Sequence, residues 1–430
     1  MSDLRLSDLC KFVGYETVKS RKHLEKKTIE IHLKRKESYP RLCSRCGCSL
    51  AAHRGGYFMR VKHLPVFDFK VVLILYRQKG DCPCCRKARA EQIEFLAEES
   101  PHLTREFVFW AAELSEISTP TRVGQFIGVG KVTMWRIENR HLKRLMKRYR
   151  IPPAKRISVD EVYARKKDHY PGESRMEKFF TVITDLDRRK VIWVSDGRRK
   201  ESLDEFFKKI GPKGCERIKV VASDEHNEYR KSIEEFCPKA KHTLDKFHLL
   251  RHFEEAVDKT RNLLFKLAVP GSLARRKARH KDRFIYIKRG SKRTTEETCQ
   301  LEDVMSDNKM FFELELIKER ILTMFDATVD VASARAIFEE VGAWIFEAGF
   351  PALKKWYRKT FRIWPKIEAY FIERATSSMS EGFNNVIKAL KRRAFGYKDM
   401  DYFKHKILQV CGYLKSCNFD KNGFIPARGI

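Results

Sequence analysis

Three short stretches, separated by polar residues, decide the fold of the central part of this chain. Residues 157–163 are ISVDEVY, residues 179–184 are FFTVIT and residues 191–195 are VIWVS. All three are rich in β-branched and aromatic side chains, which favour strands. Residues 185–189 (DLDRR) form a polar turn between the second and the third. The sequence therefore predicts three consecutive strands joined by short connections.

Helices and strands alternate after these three strands. The apolar spacing predicts a helix over residues 201–210, a buried strand over 218–222 (IKVVA) and a second helix over 227–236. A short strand near residues 242–244 and a long helix from about residue 246 follow. This is the element order of a ribonuclease H-like fold, so we predict an α/β core of that kind.

The composition of the whole chain indicates a nucleic-acid partner. The 430 residues include 89 lysines and arginines against 57 aspartates and glutamates, a formal net charge of +32. Such a charge repels itself unless a polyanion neutralises it, although a ribosome-associated protein would show the same excess. Residues 1–19 do not resemble a signal peptide, and no stretch approaches the roughly 20 apolar residues of a membrane span. We expect a cytoplasmic, nucleoid-associated protein.

Two acidic residues lie where a carboxylate needs a partner. Asp160 lies inside a predicted strand, where a buried carboxylate is costly unless it is paired or binds metal. Asp224 follows residues 218–222, at the strand edge where ligand sites of α/β folds lie. If the first and fourth strands are neighbours, the two carboxylates can share metal ions. Glu161 and Glu225 are competing neighbours, although strand alternation points Glu161 to the opposite face, and Asp160 alone could equally be a strand-end carboxylate.

A third acidic residue is expected from a later helix. Helical spacing divides residues 380–393 (SEGFNNVIKALKRR) into an apolar and a polar face. The polar face consists of Glu381, Asn384, Asn385, Lys388 and Arg392. Glu381 is the candidate third carboxylate, and Lys388 and Arg392 are candidate DNA contacts. Hard oxygen ligands of this kind suit two magnesium or manganese ions, which promote phosphoryl transfer.

Two C-x-x-C pairs lie near the amino-terminal end of the sequence. Cys43 and Cys46 form the first pair, and Cys82 and Cys85 form the second. Each pair has the spacing of a knuckle that supplies two thiolates to one tetrahedral zinc ion. Residues 61–76 between them can pair as a hairpin and bring the knuckles together. We therefore predict one structural zinc ion, which would stabilise a module whose hydrophobic core is too small to fold without it.

The zinc ligand set remains open at the level of sequence. Cys48 and Cys84 are spare thiols, and His53 or His63 could replace one ligand. Free buried thiols are the main alternative to a zinc site. A redox C-x-x-C pair fits less well, because two such pairs beside basic residues are typical of a zinc module.

Residues 120–140 have the pattern of a helix-turn-helix. A helix over 120–127 has proline at its first position, and a turn at 128–130 precedes a second helix over 131–140. Gly124 is expected at the helix crossing, and Gly128 can take the positive φ of the turn. The residues expected to face a DNA groove are Lys131, Thr133, Arg136 and Arg140. An ordinary helical pair is the alternative.

Together these segments resemble bacterial insertion-sequence transposases with a DDE catalytic domain, most closely the IS-L3 family. The resemblance covers most of the chain, and its most specific segments are DKFH and EGFNNVIK…KRRAFGY. The other segments are the paired C-x-x-C modules, the helix-turn-helix, ISVDEVYARKKDHY, VVASDEHNEY, TLDKFHLLRHFEEAVD and the FKHKIL that follows the last motif.

The resemblance implies roles for individual residues. Asp160, Asp224 and Glu381 would be the three metal-binding catalytic residues. Asp245 and His248 of the DKFH segment would support the active site, although a helix N-cap aspartate with a packed histidine is an equal alternative.

The resemblance also implies a helical insertion in the core, before the Glu381 helix. Within it, residues 273–293 are strongly basic, which indicates either a phosphate-contacting surface or a solvated charged face. The expected regions are a basic N-terminal arm (1–40), a zinc-binding module (41–95), a helix-turn-helix DNA-binding domain (100–150), the first part of the catalytic core (155–262), the helical insertion (263–370) and the second part of the core with the Glu381 helix (371–430).

The expected function is that of a DNA transposase. It would bind the terminal inverted repeats of an insertion sequence in double-stranded DNA, cleave the ends with two magnesium or manganese ions, and join the 3′-hydroxyls to target DNA. A homodimer or larger assembly is expected, because two ends must be cut together. An inactive DNA-binding regulator is one alternative, which the three intact carboxylates disfavour. A ribonuclease H-like nuclease for branched DNA or RNA is another, which the separate DNA-reading modules disfavour.

Overall fold

The structure is a computed structural model of a mixed α/β protein. It describes residues 12–164, 178–223, 227–244, 246–326, 329–373, 378–394, 397–420 and 423–426. The chain divides into two compact units, one of residues 1–149 with 414–430 and one of residues 150–413. None of the helices within the described ranges is long and apolar enough to cross a bilayer.

The first unit is built on a five-stranded sheet with the order β1-β2-β4-β3, in which β5 pairs with the end of β4. Strand β2 runs parallel to β4, and the other neighbours are antiparallel. Its strands are β1 (Tyr15–His23), β2 (Thr28–Arg35), β3 (His53–Val66), β4 (Phe69–Cys82) and β5 (Lys87–Ala90).

The predicted basic arm over residues 1–40 differs from what the structure shows. Residues 1–11 lie outside the described residues, but β1 and β2 belong to the same sheet as the cysteine-bearing β4. The reason is the alternation in β2, where Ile31 and Leu33 are 4% and 6% exposed and pack into the sheet core. This period of two is typical of a half-buried strand, so the break expected at residue 40 does not separate two folded parts.

Three helices complete the main body of the first unit. They are α1 (Arg105–Ile117), α2 (Pro120–Ile127) and α3 (Lys131–Arg148). The predicted helix over 120–127 is confirmed, and the second helix extends to Arg148 rather than ending near residue 140. Gly128 has a φ of 68° and ends α2 in the left-handed conformation, as the sequence predicts.

Gly124 lies where α2 and α3 cross. A Cβ atom at this position would lie 2.6 Å from the carbonyl oxygen of Val129 and 2.9 Å from Cγ of Met134. Because the nearer atom belongs to the backbone, it cannot move aside by a change of rotamer. The glycine therefore permits the close helix packing that the sequence predicts.

Substitution of Gly124 by alanine should destabilise the first unit. Overpacking at the crossing should cost about 1–3 kcal/mol, and alanine regains roughly 1 kcal/mol as a better helix former, so the free energy of unfolding should fall by up to about 2 kcal/mol. Chemical denaturation of the purified chain measures the change. Gln125→Ala, at an exposed position of the same helix, should stay within about 0.5 kcal/mol of wild type. Equal stability of the two variants would show that the crossing has room for a side chain.

The second unit contains the other large sheet, with the order β10-β9-β6-β7-β8. Strands β6, β9 and β10 are parallel, and β7 and β8 continue the sheet antiparallel from β6. The strands are β6 (Arg156–Tyr163), β7 (Phe179–Asp185), β8 (Lys190–Asp196), β9 (Val220–Ser223) and β10 (Lys241–Leu244). The predicted strands are confirmed, and the first and fourth of them are direct neighbours.

Helices make up the rest of the second unit. Those from α6 to α13 pack around a large aromatic and aliphatic core, in which the rings of Phe253 and Trp356 are 4.7 Å apart. In chain order the helices are α4 (Lys200–Arg217), α5 (Asn227–Phe236), α6 (Lys246–Leu267), α7 (Leu273–Lys277), α8 (Arg283–Ile287), α9 (Thr295–Asp307), α10 (Lys309–Met324), α11 (Val331–Ala348), α12 (Pro351–Arg362), α13 (Trp364–Glu373), α14 (Ser378–Arg393) and α15 (Met400–Cys411). Strands β11 (Cys417–Asp420) and β12 (Gly423–Pro426), which belong to the first unit, pair with each other.

Candidate active site and metal centre

A cavity of about 910 Å³ lies in the second unit, between β6, α6, the segment after α8 and α14. Four of the predicted site residues line it: Asp160, His248, Glu381 and Lys388. Arg392 is exposed on α14 and does not line it. Asp224 and Asp245 lie outside the described residues. The described part of the chain therefore brings two of the three predicted catalytic carboxylates to one cavity.

Asp160 lies in β6 and is half-buried, and both oxygen atoms of its carboxylate accept hydrogen bonds. Oδ1 accepts from the backbone amide of Glu161 at 2.7 Å. Oδ2 accepts from Nδ2 of Asn384 at 2.8 Å. These two hydrogen bonds hold the carboxylate in one orientation.

Glu381 lies in the first turn of α14 and is exposed. Helix α14 is docked against β6 by side chains further along the same helix. Asn384 contacts β6 one turn later, and Nζ of Lys391 donates to the carbonyl oxygen of Tyr163 at 3.2 Å and lies over its ring. These contacts fix the position of Glu381 along β6, the strand that carries Asp160.

Glu161 also lines the cavity, which the strand alternation did not predict. Its carboxylate accepts from Arg198 at 3.2 Å, and the guanidinium of Arg198 lies over the ring of Phe179. Glu161 is therefore paired with a cation beside the cavity that Asp160 also lines.

Several cations line the same cavity as the carboxylates. Lys288 and Arg289 are committed to ion pairs within the helical region, with Glu297 at 2.5 Å and Asp326 at 2.7 Å. Three further cations are exposed and form no ion pair within the described ranges: Arg251, Lys292 and Lys388.

The predicted basic segment over residues 273–293 is thus partly structural. Arg293, whose side chain is 4% exposed, pairs with Glu315 at 2.6 Å and joins two helices rather than facing solvent. Glu254 of α6 also lines the cavity, and burial raises the pKa of its carboxyl group. The cavity thus combines carboxylates with exposed cations, a lining that suits a phosphate group bridged by divalent ions.

The four predicted zinc ligands form a compact cluster in the first unit. The Sγ atoms of Cys43, Cys46, Cys82 and Cys85 all lie within 4.8 Å of one another. The Sγ atoms of Cys46 and Cys82 are 3.4 Å apart. Strand β4 ends at Cys82, and its pairing with β3 and β5 places that residue beside the first knuckle. Four sulfur atoms at these distances could hold one tetrahedral metal ion.

Electrostatics within the cluster agree with a site for a cation. Burial alone would raise the pKa of Cys43, but hydrogen bonds from the amides of Arg45 and Cys46 outweigh it and lower the pKa to about 6. The neighbouring thiol of Cys46, with burial and the other sulfurs, raises the pKa of Cys85 to about 12. One cation shared by the sulfur atoms would remove this competition for protons.

The alternative zinc ligands, Cys48, Cys84 and His63, have other neighbours. Cys46, Cys48 and Cys84 form a second group of three that shares Cys46 with the first. Nδ1 of His63 is 2.9 Å from the hydroxyl of Thr104, so this histidine serves a different contact. The group of four cysteines is the more complete ligand set among the described residues.

The helix pair of the first unit presents the predicted basic residues in different environments. Lys131 and Arg136 are exposed on α3, and Thr133 is half-buried. Arg140 is exposed but pairs with Glu98 at 3.3 Å. Lys131 and Arg136 are therefore the better placed of the four for contact with another molecule.

Comparison with known proteins identifies the family. Residues 157–407 match a family model described as a transposase, that of the IS-L3 family of DDE transposases. Because the match spans more than half of the chain, this protein belongs to the IS-L3 family of DDE transposases, which are DNA-cleaving enzymes. The resemblance drawn from the sequence motifs is confirmed.

Two curated relatives are similar over nearly their whole length. The chain is 25% identical over 382 residues to the transposase for insertion sequence element IS1001 of Bordetella parapertussis, covering 89% of this chain and 91% of the relative. It is 22% identical over 380 residues to the transposase for insertion sequence element IS1557 of Mycobacterium tuberculosis, covering 83% of each. Transposase function is therefore supported along most of the chain.

Proposed function

We propose that this protein is the transposase of an insertion sequence. It binds the terminal inverted repeats of its element, cleaves the DNA at both ends and joins the freed 3′-hydroxyls to target DNA. The observation that carries this proposal is that Asp160 and Glu381, far apart in the sequence, line one cavity in a chain of a DDE family.

Asp160, Asp224 and Glu381 are proposed to hold two magnesium or manganese ions. Carboxylate oxygens are the ligands that these hard cations prefer. When bound, the ions supply activation of the attacking oxygen and stabilisation of the leaving oxygen. The neighbouring strands β6 and β9 support the assignment, because Val159 pairs with Ser223 and the two aspartates each come one residue later.

The other cavity residues are proposed to act on the DNA and on the carboxylates. Phosphate oxygens bind to Arg251, Lys292 and Lys388, since these exposed cations line the same cavity as Asp160 and Glu381. Asp245 and His248 support the site, and His248 lines the cavity. Arg392, exposed on α14, is proposed as a further DNA contact.

The domain organisation follows from these roles. We propose a ribonuclease H-like catalytic core formed by residues 155–262 and 371–430, with residues 263–370 as a helical insertion. The order of the second sheet supports this core, since its first three strands are antiparallel and its fourth and fifth lie parallel to the first. Residues 41–95 are proposed to bind one structural zinc ion through Cys43, Cys46, Cys82 and Cys85.

DNA reading is assigned to the helix pair α2 and α3, proposed as a helix-turn-helix within residues 100–150. Lys131, Thr133 and Arg136 would face the groove, and Arg140 would exchange Glu98 for a phosphate. Action on two DNA ends at once implies a homodimer or larger assembly in the bacterial cytoplasm, associated with the nucleoid.

Replacement of Lys131 and Arg136 by alanine should weaken binding to the terminal repeat. Each lost phosphate contact should reduce the slope of log affinity against log salt concentration by about one. A fluorescence binding titration at several salt concentrations measures this slope. The Lys147→Ala/Arg148→Ala double variant removes the same two charges at the far, exposed end of α3 and should change the slope less. Wild-type binding by the double variant would remove α3 from the interface.

Transposition in cells tests the proposed function as a whole. A marked element with the native ends, supplied with this protein in trans, should move to new sites in a recipient plasmid. The Asp160→Ala protein, expressed at the same level, should give no insertions. Insertion frequencies that do not differ between the two proteins would contradict the proposal.

A further inference from the structure

Asn384 is a buried amide at the junction of β6 and α14. Its side chain is 8% exposed and lines the cavity that holds Asp160 and Glu381. Nδ2 donates to Oδ2 of Asp160 at 2.8 Å and to the carbonyl oxygen of Glu161 at 3.3 Å. A carbonyl and an ionised carboxylate only accept hydrogen bonds, so the NH₂ end must face β6 and the orientation of the amide is fixed.

No described residue donates a hydrogen bond to the other end of this amide. Oδ1 of Asn384 is buried, and no partner contacts it within the part of the chain that is described. Buried amide oxygens are nearly always paired, so an unpaired one calls for an explanation other than packing. An apolar side chain of similar size would fill the space at lower cost, but it could not donate to Asp160.

Asn384 also connects two carboxylates. It follows Glu381 by one helical turn, so both side chains lie on the same face of α14. Its hydrogen bond to Asp160 therefore ties the helix that bears Glu381 to the strand that bears Asp160. A carboxylate at position 384 would repel Asp160, and a shorter side chain could not reach it.

We propose that Asn384 is the positioning residue of the divalent-metal site. Its NH₂ group holds the carboxylate of Asp160 in the orientation that binds the cation and fixes Glu381 at a set distance from it. Its unpaired oxygen accepts a hydrogen bond from a water molecule or nucleotide group that enters the cavity with the cation and DNA. This inference rests on the proposed function, because it takes Asp160 and Glu381 as the metal ligands.

Manganese binding to the full chain tests this role without relying on activity. Electron paramagnetic resonance titration with Mn²⁺ gives the affinity directly, and Asn384→Ala and Asn384→Leu both remove the donor. We expect either variant to bind Mn²⁺ about 10- to 100-fold more weakly, the usual effect of removing a group that orients a metal ligand. Asn384→Gln, which keeps the NH₂ group on a longer stem, should recover part of the affinity. Asn385→Ala, its exposed neighbour, should bind as wild type does.

Each outcome decides a separate claim. Wild-type Mn²⁺ affinity in a folded Asn384→Ala or Asn384→Leu protein, with affinity lost in Asp160→Ala, overturns the positioning role and leaves the proposed function intact. Absence of Mn²⁺ binding in the wild-type chain overturns both. If neither Asn384 variant retains the wild-type melting temperature, Asn384 is a folding residue and the positioning role is wrong. Activity gives a second measurement: the Mn²⁺ concentration for half-maximal DNA cleavage should rise by a similar factor in the Asn384→Ala and Asn384→Leu variants.

Discussion

Alanine at Asp160 or at Glu381 should abolish DNA cleavage and leave DNA binding nearly intact. Each substitution removes an oxygen ligand and a negative charge from the proposed metal pair, so geometry and affinity are lost together. The proposed helix-turn-helix and zinc module lie in the first unit, which these changes do not touch, so most of the affinity for the DNA ends should remain. We expect cleavage below about one thousandth of the wild-type rate, and the Asp160 and Glu381 effects should not add because the carboxylates act as a unit.

Cleavage of a labelled duplex that carries the element's end, beside a gel-shift assay on the same DNA, measures both properties. Asp224→Ala should behave like the other two. Glu302→Ala, which removes an exposed carboxylate from α9, should cleave as wild type does. Full cleavage by the Glu381 variant would remove that residue from the catalytic set.

Replacement of Cys43 and Cys82 together by serine should remove zinc from the protein. Each proposed knuckle loses one of its two thiolates, and two remaining ligands do not make a tetrahedral site. Zinc content should fall from about one equivalent to almost none. The first unit should unfold at a lower temperature, because Cys43 and Cys82 belong to one small buried cluster with Leu50.

Metal analysis of the purified chain and thermal melting measure these effects. Cys299→Ser, at an exposed position of α9, is the matched control and should keep its zinc. Cys84→Ser tests the second group of three cysteines and should also keep its zinc. Unchanged zinc content in the double variant would contradict the assignment of the four ligands.

Local pattern predicted the elements of the second sheet well. The β-branched and aromatic residues of 157–163, 179–184 and 191–195 specify strands through their own side chains, and β6, β7 and β8 lie there. Gly124 and Gly128 were also correctly interpreted, because a helix crossing and a positive φ leave a signature in a single residue.

Long-range contacts were harder to predict. The hydrogen bond from Asn384 to Asp160 joins residues 224 positions apart, and it depends on how α14 docks on β6. The helical spacing placed Asn384 on the polar face with Glu381, which was the available signal. The pairing of Glu161 with Arg198 and of Arg293 with Glu315 likewise depends on tertiary packing. Charge counts along the sequence cannot distinguish such buried pairs from a solvated basic surface.

The sequence failed to predict the amino-terminal strands β1 and β2 for a different reason. Residues 15–35 are rich in lysine and arginine, which suggested a basic arm, but the alternation of Ile29, Ile31 and Leu33 places them in a sheet. Their partner is β4, and a parallel pairing of β2 with β4 leaves no signal in the sequence between them.

The most direct test of the central claim is metal-dependent cleavage at the element's end. The full wild-type chain is incubated with an end-labelled duplex carrying the terminal inverted repeat and with a target plasmid, once with Mg²⁺ and once with Mg²⁺ and an excess of chelator. We expect cleavage at the element's end and joining of the new 3′-hydroxyl to the plasmid with Mg²⁺, and neither product with the chelator. Cleavage that survives chelation, or no cleavage with either Mg²⁺ or Mn²⁺, would contradict the proposed two-metal mechanism.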